Sequence, residues 1–230
     1  MSTTERKAAP PGPAAAARPR ARRPWARRAA RALVHAGALL PLALLIFDAL
    51  AGRLSVNPIQ DLTLRTGTAA LRLLLLSLAC TPASRLLGWR WAAALRRPLG
   101  LYSFLYVCLH LLIFVAVDYG LDPGLIGQAI VEKRYVLAGL AAFLLLLPLA
   151  LTSTKGAQRR LGRWWRRLHR LVYPAALLAV LHFLWLSKTW REPLVYGLIL
   201  LALLAARALR MRRGPARMTG EAARTPPPRS

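Results

Sequence analysis

Apolar residues are gathered into six long runs along this chain, with polar residues between them. Each run has roughly the 20 residues that a helix needs to cross the hydrocarbon core of a bilayer. The pattern therefore predicts six transmembrane helices, near residues 33–51, 69–87, 99–117, 135–152, 171–187 and 194–210. Because short connections and two basic tails make up most of the remainder, we expect an all-α membrane protein with one six-helix bundle over residues 32–211.

The charged residues between the helices predict how the helices are oriented in the membrane. The connections 85–98 and 153–170 are basic without acids, whereas the other three connections are nearly balanced in charge. This alternation follows the positive-inside rule and predicts that both termini are cytoplasmic. The tails 1–31 and 212–230 are rich in Ala, Pro and Arg, which is typical of disordered segments. The net charge of +26 is therefore explained by the orientation of the helices in the membrane. It predicts contact with anionic lipid and does not indicate nucleic-acid binding.

The first apolar run leaves one alternative open. A basic region, the stretch LVHAGALLPLALLIF and the small residues Ala49 and Ala51 together imitate a signal peptide. Cleavage there would leave five helices without disturbing the alternation of the loops, so charge alone does not decide between the two interpretations.

An internal echo relates two parts of the chain. Residues 75–110 and 146–182 each contain an apolar helix end, a small polar step, a basic loop with Trp and an Arg-Arg pair. A Tyr follows in each, and a histidine stands eight or nine residues after it. The pattern suggests a parallel repeat about an axis along the membrane normal. In that repeat His110 and His182 are equivalent.

The depth of these two histidines supports the same pairing. Each lies eleven residues past an apolar helix start, at Leu99 and Leu171, which places it about 17 Å into the membrane. Two neutral imidazoles at equal depth on facing helices can supply both axial ligands of one heme iron. The alternative is a pair of structural histidines that bond to backbone or hydroxyl groups.

A second pair of histidines lies near the cytoplasmic boundary. His169 is thirteen residues before His182, about 20 Å along a straight helix, so the two cannot share an iron. His35 lies at a similar level and could complete a second heme site, although both could instead be interfacial side chains with solvated tips. The neighbouring arginines suit heme propionates or lipid phosphates. They are Arg163, Arg166, Arg167 and Arg170.

Two segments carry a family resemblance. TSTKGAQRRLGRWWRRLHRLVYP with the following LHFLW, and RRPLGLYSFLYVCLH, resemble the MsrQ family of heme-binding membrane subunits, within the ferric-reductase-like transmembrane group. The resemblance covers about 32–210. It implies b-type heme, one or two per chain, and matches His110, His169 and His182 to the family's heme histidines. It also implies FMN, for which no residue here can be named.

The function that this resemblance implies is electron transfer in the bacterial inner membrane. Quinol would reduce the heme, and electrons would pass to MsrP, a periplasmic molybdopterin enzyme that reduces methionine sulfoxide during repair of envelope proteins. The chain would be a non-catalytic subunit. Either the 52–68 or the 118–134 connection could dock the partner, and the acids and the Asp122-Pro123-Gly124 turn favour the second. Cys80 and Cys108 lie in spans and are expected to be packing residues. A cofactor-free transporter or assembly subunit is the alternative.

Overall fold

A computed structural model describes residues 24–89 and 91–212, and helices account for nearly all of them. A π-helical turn, Ile113–Asp118, extends α3, and a 3-10 turn, His169–Leu171, leads into α7. These described residues form eight α-helices: α1 (Pro24–Leu50), α2 (Pro58–Leu86), α3 (Ala92–Leu112), α4 (Pro123–Glu132), α5 (Arg134–Leu151), α6 (Lys155–Leu168), α7 (Val172–Leu186) and α8 (Arg191–Arg212). The prediction of an all-helical membrane protein is confirmed.

Within residues 24–89 and 91–212, five helical segments are long and apolar enough to cross a membrane. They are Ala32–Leu50, Pro58–Leu86, Ala92–Asp118, Arg134–Leu151 and Lys155–Leu186. The sixth predicted span, 194–210, lies in α8, which is helical but is not one of these five. The count of six spans and the side of the termini therefore stay predictions.

Three helices begin well before their predicted starts, because residues that are too polar for the hydropathy pattern still form helix. α3 begins at Ala92 instead of at 99. α1 begins at Pro24 and so includes residues 24–31 of the predicted tail. α2 begins at Pro58, where the Asn57 side chain accepts a hydrogen bond from the Gln60 amide, and a proline at the first helical position favours this start. The rest of the predicted tails, 1–23 and 213–230, lies outside the described residues.

Two of the connections also contain helices. In the 118–134 connection the Asp122 carboxylate accepts hydrogen bonds from the Gly124 and Leu125 amides and so begins α4. The basic 153–170 connection forms α6, which breaks at Gly162, where φ is +48°. Only glycine adopts that backbone conformation readily. The Asp-Pro-Gly turn is thus the start of a short helix.

The bundle is built from two helix pairs, α2 with α3 and α5 with α7, and α8 packs against α2 and α7. Small residues let the backbones approach: Ala175 and Ala176 are fully buried, and the Ser103 hydroxyl donates to the Ala70 carbonyl at 2.8 Å. The arginine-rich end of the bundle holds the α2–α3 connection and α6. The opposite end holds α4 and the α7–α8 connection.

One buried tyrosine joins α1 to this bundle. Tyr106 of α3 is only 1% exposed, and its hydroxyl donates to the Ala38 carbonyl at 2.8 Å and accepts from the Leu42 amide at 2.9 Å. In a regular helix these two backbone groups would pair with each other. The hydroxyl lies next to Pro41, a residue type that disturbs the same ladder. The Tyr106 hydroxyl of α3 and the two backbone groups of α1 thus satisfy each other's hydrogen bonds in an apolar region.

A candidate heme site between the helix pairs

The structure brings His110 of α3 and His182 of α7 together. Their ring centroids are 6.0 Å apart and their ring planes are perpendicular. Each helix pair contributes one ring, so the two rings face each other across the seam between the pairs. A metal ion between two imidazoles, at metal–nitrogen distances of about 2 Å, would hold the centroids about 6 Å apart. The separation therefore fits two axial ligands on one ion.

Hydrogen bonds orient both rings. His110 Nδ1 lies 2.9 Å from the Thr63 carbonyl oxygen, and His182 Nδ1 lies 2.6 Å from the Tyr135 carbonyl oxygen. A carbonyl can only accept, so each Nδ1 carries the proton and each Nε2 keeps a free lone pair. Metal-binding histidines are usually held in this way, since the bond fixes the tautomer and the ring orientation. Both imidazoles are thus prepared as neutral Nε2 ligands.

A glycine lies against each ring. A Cβ atom at Gly67 would be 3.1 Å from two atoms of the His110 ring, and one at Gly139 would be 2.8 Å from His182 Nδ1. Contacts this short require the ring or the backbone to move. The two glycines therefore let α2 and α5 approach the imidazoles closely enough for the carbonyl bonds to form.

These components form two matching sets, and both carbonyl-to-histidine bonds span 47 residues. The first set is Thr63, Gly67 and His110, and the second is Tyr135, Gly139 and His182, each 72 residues further along. The predicted repeat thus extends backward into α2 and α5. Sequence reasoning missed the carbonyls and the glycines. The sequence does contain a signal for the second glycine. The offset of 72 residues between the two histidines, applied to Gly67, leads to Gly139.

The ring pair lies nearer one end of its helices, and its depth in the membrane stays a prediction. His182 is four residues before the end of α7 at Leu186, and His110 is two residues before α3 passes into its π-helical turn. α3 begins at Ala92, seven residues earlier than assumed, so His110 is further from the arginine-rich end. π-helical turns are frequent at functional sites. The candidate site therefore lies toward the opposite end.

His169 and His35 have separate surroundings. The His169 ring stacks on Trp165 with centroids 3.9 Å apart, and its Nδ1 lies 3.1 Å from the Trp165 carbonyl oxygen, which leaves Nε2 free. His35 is exposed, and its Nδ1 lies 2.8 Å from the Tyr102 hydroxyl. Within the part of the chain that the structure describes, no ring contact joins either of them to a second imidazole. Their pairing on one heme stays a prediction.

The remaining candidate ligands are more scattered. The four arginines near His169 are exposed, and the Arg167 guanidinium lies 4.8 Å from the centroid of the Trp164 ring, as is common at a membrane interface. Residues 24–89 and 91–212 contain no cluster of three or more histidine, cysteine or acidic side chains that could hold a metal ion. Two imidazoles suffice for a heme, because the porphyrin supplies the other four iron ligands. The ring pair therefore fits heme better than a bare ion.

Comparisons with known proteins agree with this chemistry. Residues 66–180 match the family described as "Ferric reductase like transmembrane component". A protein of Xanthomonas axonopodis pv. citri is 45% identical over 207 residues, which is 87% of this chain and 94% of that protein. Proteins of Rhodospirillum rubrum and Deinococcus radiodurans are 47% and 49% identical, over 81% and 74% of this chain and 92% and 85% of their own lengths. Each is named "Protein-methionine-sulfoxide reductase heme-binding subunit MsrQ".

No solved structure matches the chain. The apolar helices and the family together make it a multi-pass protein of the bacterial inner membrane. The identities and coverage of the relatives show that the chain belongs to the MsrQ family of heme-binding subunits, within the ferric-reductase-like transmembrane proteins.

Proposed function

We propose that this chain binds heme b between His110 and His182 and passes electrons from quinol to a periplasmic methionine-sulfoxide reductase, MsrP. The observation that carries the proposal is the facing ring pair, with centroids 6.0 Å apart and both Nδ1 atoms bonded to carbonyls. A bound heme supplies a one-electron carrier. The chain itself exchanges electrons with partners and lipid-soluble carriers and is not the catalytic subunit.

The roles of the individual residues follow from their contacts. The Thr63 and Tyr135 carbonyls keep the two histidines in the Nε2-free tautomer, and the adjacent glycines let these carbonyls reach the rings. Apolar helices on either side exclude water and stabilise a neutral ligand set. His169, with its free Nε2, is proposed to bind a second heme toward the arginine-rich end, with His35 as its candidate partner. FMN stays a prediction without an assigned residue.

A redox difference spectrum of the purified protein tests the heme. We expect a b-type signal, and His110→Ala and His182→Ala should each remove the same component of it. His35→Ala is the matched control, because it removes a histidine outside this site and should leave that component in place. Protein that purifies without heme, and takes up none when hemin is added, would instead favour the transporter or assembly interpretation.

The docking surface for the catalytic subunit is proposed on the 118–134 connection. Its acidic residues Asp118 and Glu132 are exposed, and charge reversal of both should slow electron delivery to the partner without changing heme content. Asp122 should be left intact in this test, because its carboxylate begins α4. Reversal of Arg53, which is exposed in the loop before α2, provides the comparison. Unchanged delivery in the Asp118 and Glu132 variant would count against this surface.

A further inference from the structure

A positive charge lies in the middle of α2 without an acidic partner. Arg72 is fourteen residues from each end of this helix, about 21 Å along its axis. Its side chain is exposed, and its Nε donates to the Tyr196 hydroxyl of α8 at 2.9 Å. Among the residues that the structure describes, Arg72 makes no ion pair and no second side-chain hydrogen bond. A charge at this depth is costly unless a partner compensates it.

The described residues hold no acidic side chain that serves as this partner. Their six acids all lie near the ends of helices or in connections: Asp48, Asp61, Asp118, Asp122, Glu132 and Glu192. Asp48 and Asp61 already bind Arg65. Glu192 is one turn before Tyr196, but it is exposed and forms no ion pair with Arg72. The compensating anion must therefore come from outside these residues.

The hydrogen bond between α2 and α8 lies near the candidate heme site. Along α2, Arg72 follows by five residues, about 7.5 Å, the glycine that lies against the first imidazole, Gly67. In α8, the ring of Tyr196 is 5.9 Å from the ring of Phe183, centroid to centroid. Phe183 is the residue that directly follows His182 in α7. The guanidinium and its tyrosine partner are thus close to the level of the ring pair.

α8 closes one side of the seam between the two helix pairs. It packs against α2 of the first pair and against α7 of the second, and the bond from Arg72 to Tyr196 joins it to α2. The plane of a heme with two axial histidines is perpendicular to the line between these ligands, so its edges point out of the seam. Two propionates are attached to one of those edges and bring negative charge. At the side that α8 closes, Arg72 offers the positive charge that such an edge requires.

We propose that Arg72 binds a propionate of the heme held by His110 and His182, a proposal that rests on the heme site above. A carboxylate compensates the charge and accepts hydrogen bonds from the two Nη groups that Tyr196 leaves free. A quinone is neutral and would leave the charge uncompensated. A lipid phosphate would have to leave the interface by more than the length of an arginine side chain. Tyr196 is a positioning residue, because its hydroxyl holds Nε and so directs the other two nitrogens.

Hemin dimethyl ester, whose propionates carry no charge, tests this contact. The full-length protein, purified without heme, is titrated with hemin or with the ester, and binding is followed at the spectral component that His110→Ala removes. The wild type should bind hemin more tightly than the ester. Arg72→Gln should bind hemin about 10–100-fold more weakly, as for one lost charge-assisted hydrogen bond, and its preference for hemin over the ester should fall by the same factor. Tyr196→Phe keeps the charge but releases Nε, so it should lose part of that preference.

Arg53→Gln is the matched control, because it removes an exposed arginine from the loop before α2 and should leave both affinities unchanged. Three results would overturn the contact: equal affinity of the wild type for hemin and the ester, an equal loss of both affinities in Arg72→Gln, and a preference for hemin that this variant keeps in full. In each case the wild type still binds hemin, so the heme site stands and only the propionate contact is wrong. A wild type that takes up no hemin would contradict the heme site, and this contact with it.

Discussion

Replacement of Gly139 by alanine tests the candidate heme site through a residue that touches no heme. The added Cβ would lie 2.8 Å from His182 Nδ1 and 3.0 Å from Cε1, whereas ordinary contact begins at 3.4 Å. The ring must therefore retreat from α5 by about 0.6 Å, and the bond from Nδ1 to the Tyr135 carbonyl would lengthen from 2.6 Å to about 3.2 Å. The bond is then at the long end of the range for an N–H···O hydrogen bond, so the imidazole is held less firmly in its orientation.

The expected loss of heme affinity follows from this displacement. Complete removal of a partner that orients a metal-binding histidine typically costs about 10–100-fold in affinity, so weakening this bond should cost up to about tenfold. Gly67→Ala should cost less, because its Cβ would lie 3.1 Å from the His110 ring and a shift of about 0.3 Å relieves the contact. Titration of hemin into the apoprotein, followed by absorbance, measures both effects.

Two other glycines provide matched controls. Gly37 in α1 and Gly127 in α4 have no atom within 4 Å of an added Cβ, so alanine there should leave heme affinity unchanged. The same changes should stabilise the helices by about 0.5–1 kcal/mol, because glycine loses more backbone entropy on folding. If Gly139→Ala bound heme as tightly as these controls, the close packing of α5 on His182 would not hold the ligand, and the reasoning would be refuted.

Three further predictions concern other parts of the chain. Tyr106→Phe leaves the two backbone groups of α1 unpaired and should lower the free energy of unfolding by about 1–3 kcal/mol, measured by denaturant unfolding in detergent, with an unchanged heme spectrum. His169→Ala should remove a spectral component that His110→Ala leaves in place, and loss of the same component in both variants would contradict two separate hemes. The hydrogen bond to the Tyr119 hydroxyl raises the pKa of Lys133, so its stabilising effect should be complete below the ordinary pKa of 10.5 and disappear as pH rises through the higher folded value. Tyr119→Phe should remove that pH dependence from thermal unfolding curves.

The helical bundle could be predicted because the length and apolarity of each span leave few alternatives. The first residues of the helices could not be predicted, because a hydropathy scale treats every polar side chain as exposed to water. In α2 the Thr63 and Thr66 hydroxyls donate to carbonyls one turn earlier, at 2.8 Å each, and thereby satisfy themselves inside the helix. The polar stretch before residue 69 is therefore helix, although its composition resembles a loop.

The candidate site was predictable only in part, for a related reason. His110 and His182 could be paired from the internal echo, because a repeat relates positions without any knowledge of packing. The carbonyl groups that orient these histidines could not be predicted, since every residue has a main-chain carbonyl and the sequence does not show which one is used. The sequence predicts His35 and His169 at one level, but level does not fix the direction around a helix, so the contact of His35 with Tyr102 could not be predicted.

The division of the ring pair between two helix pairs has a consequence for biogenesis. His110 enters the membrane with α3, whereas His182 arrives only with α7, after another 72 residues have been synthesised. A chain that stops after the first pair carries one ring and half a site. Heme can therefore be captured by both ligands only when the second pair has inserted beside the first. The cofactor's spectrum in a growing or truncated chain would then report how far membrane insertion has proceeded.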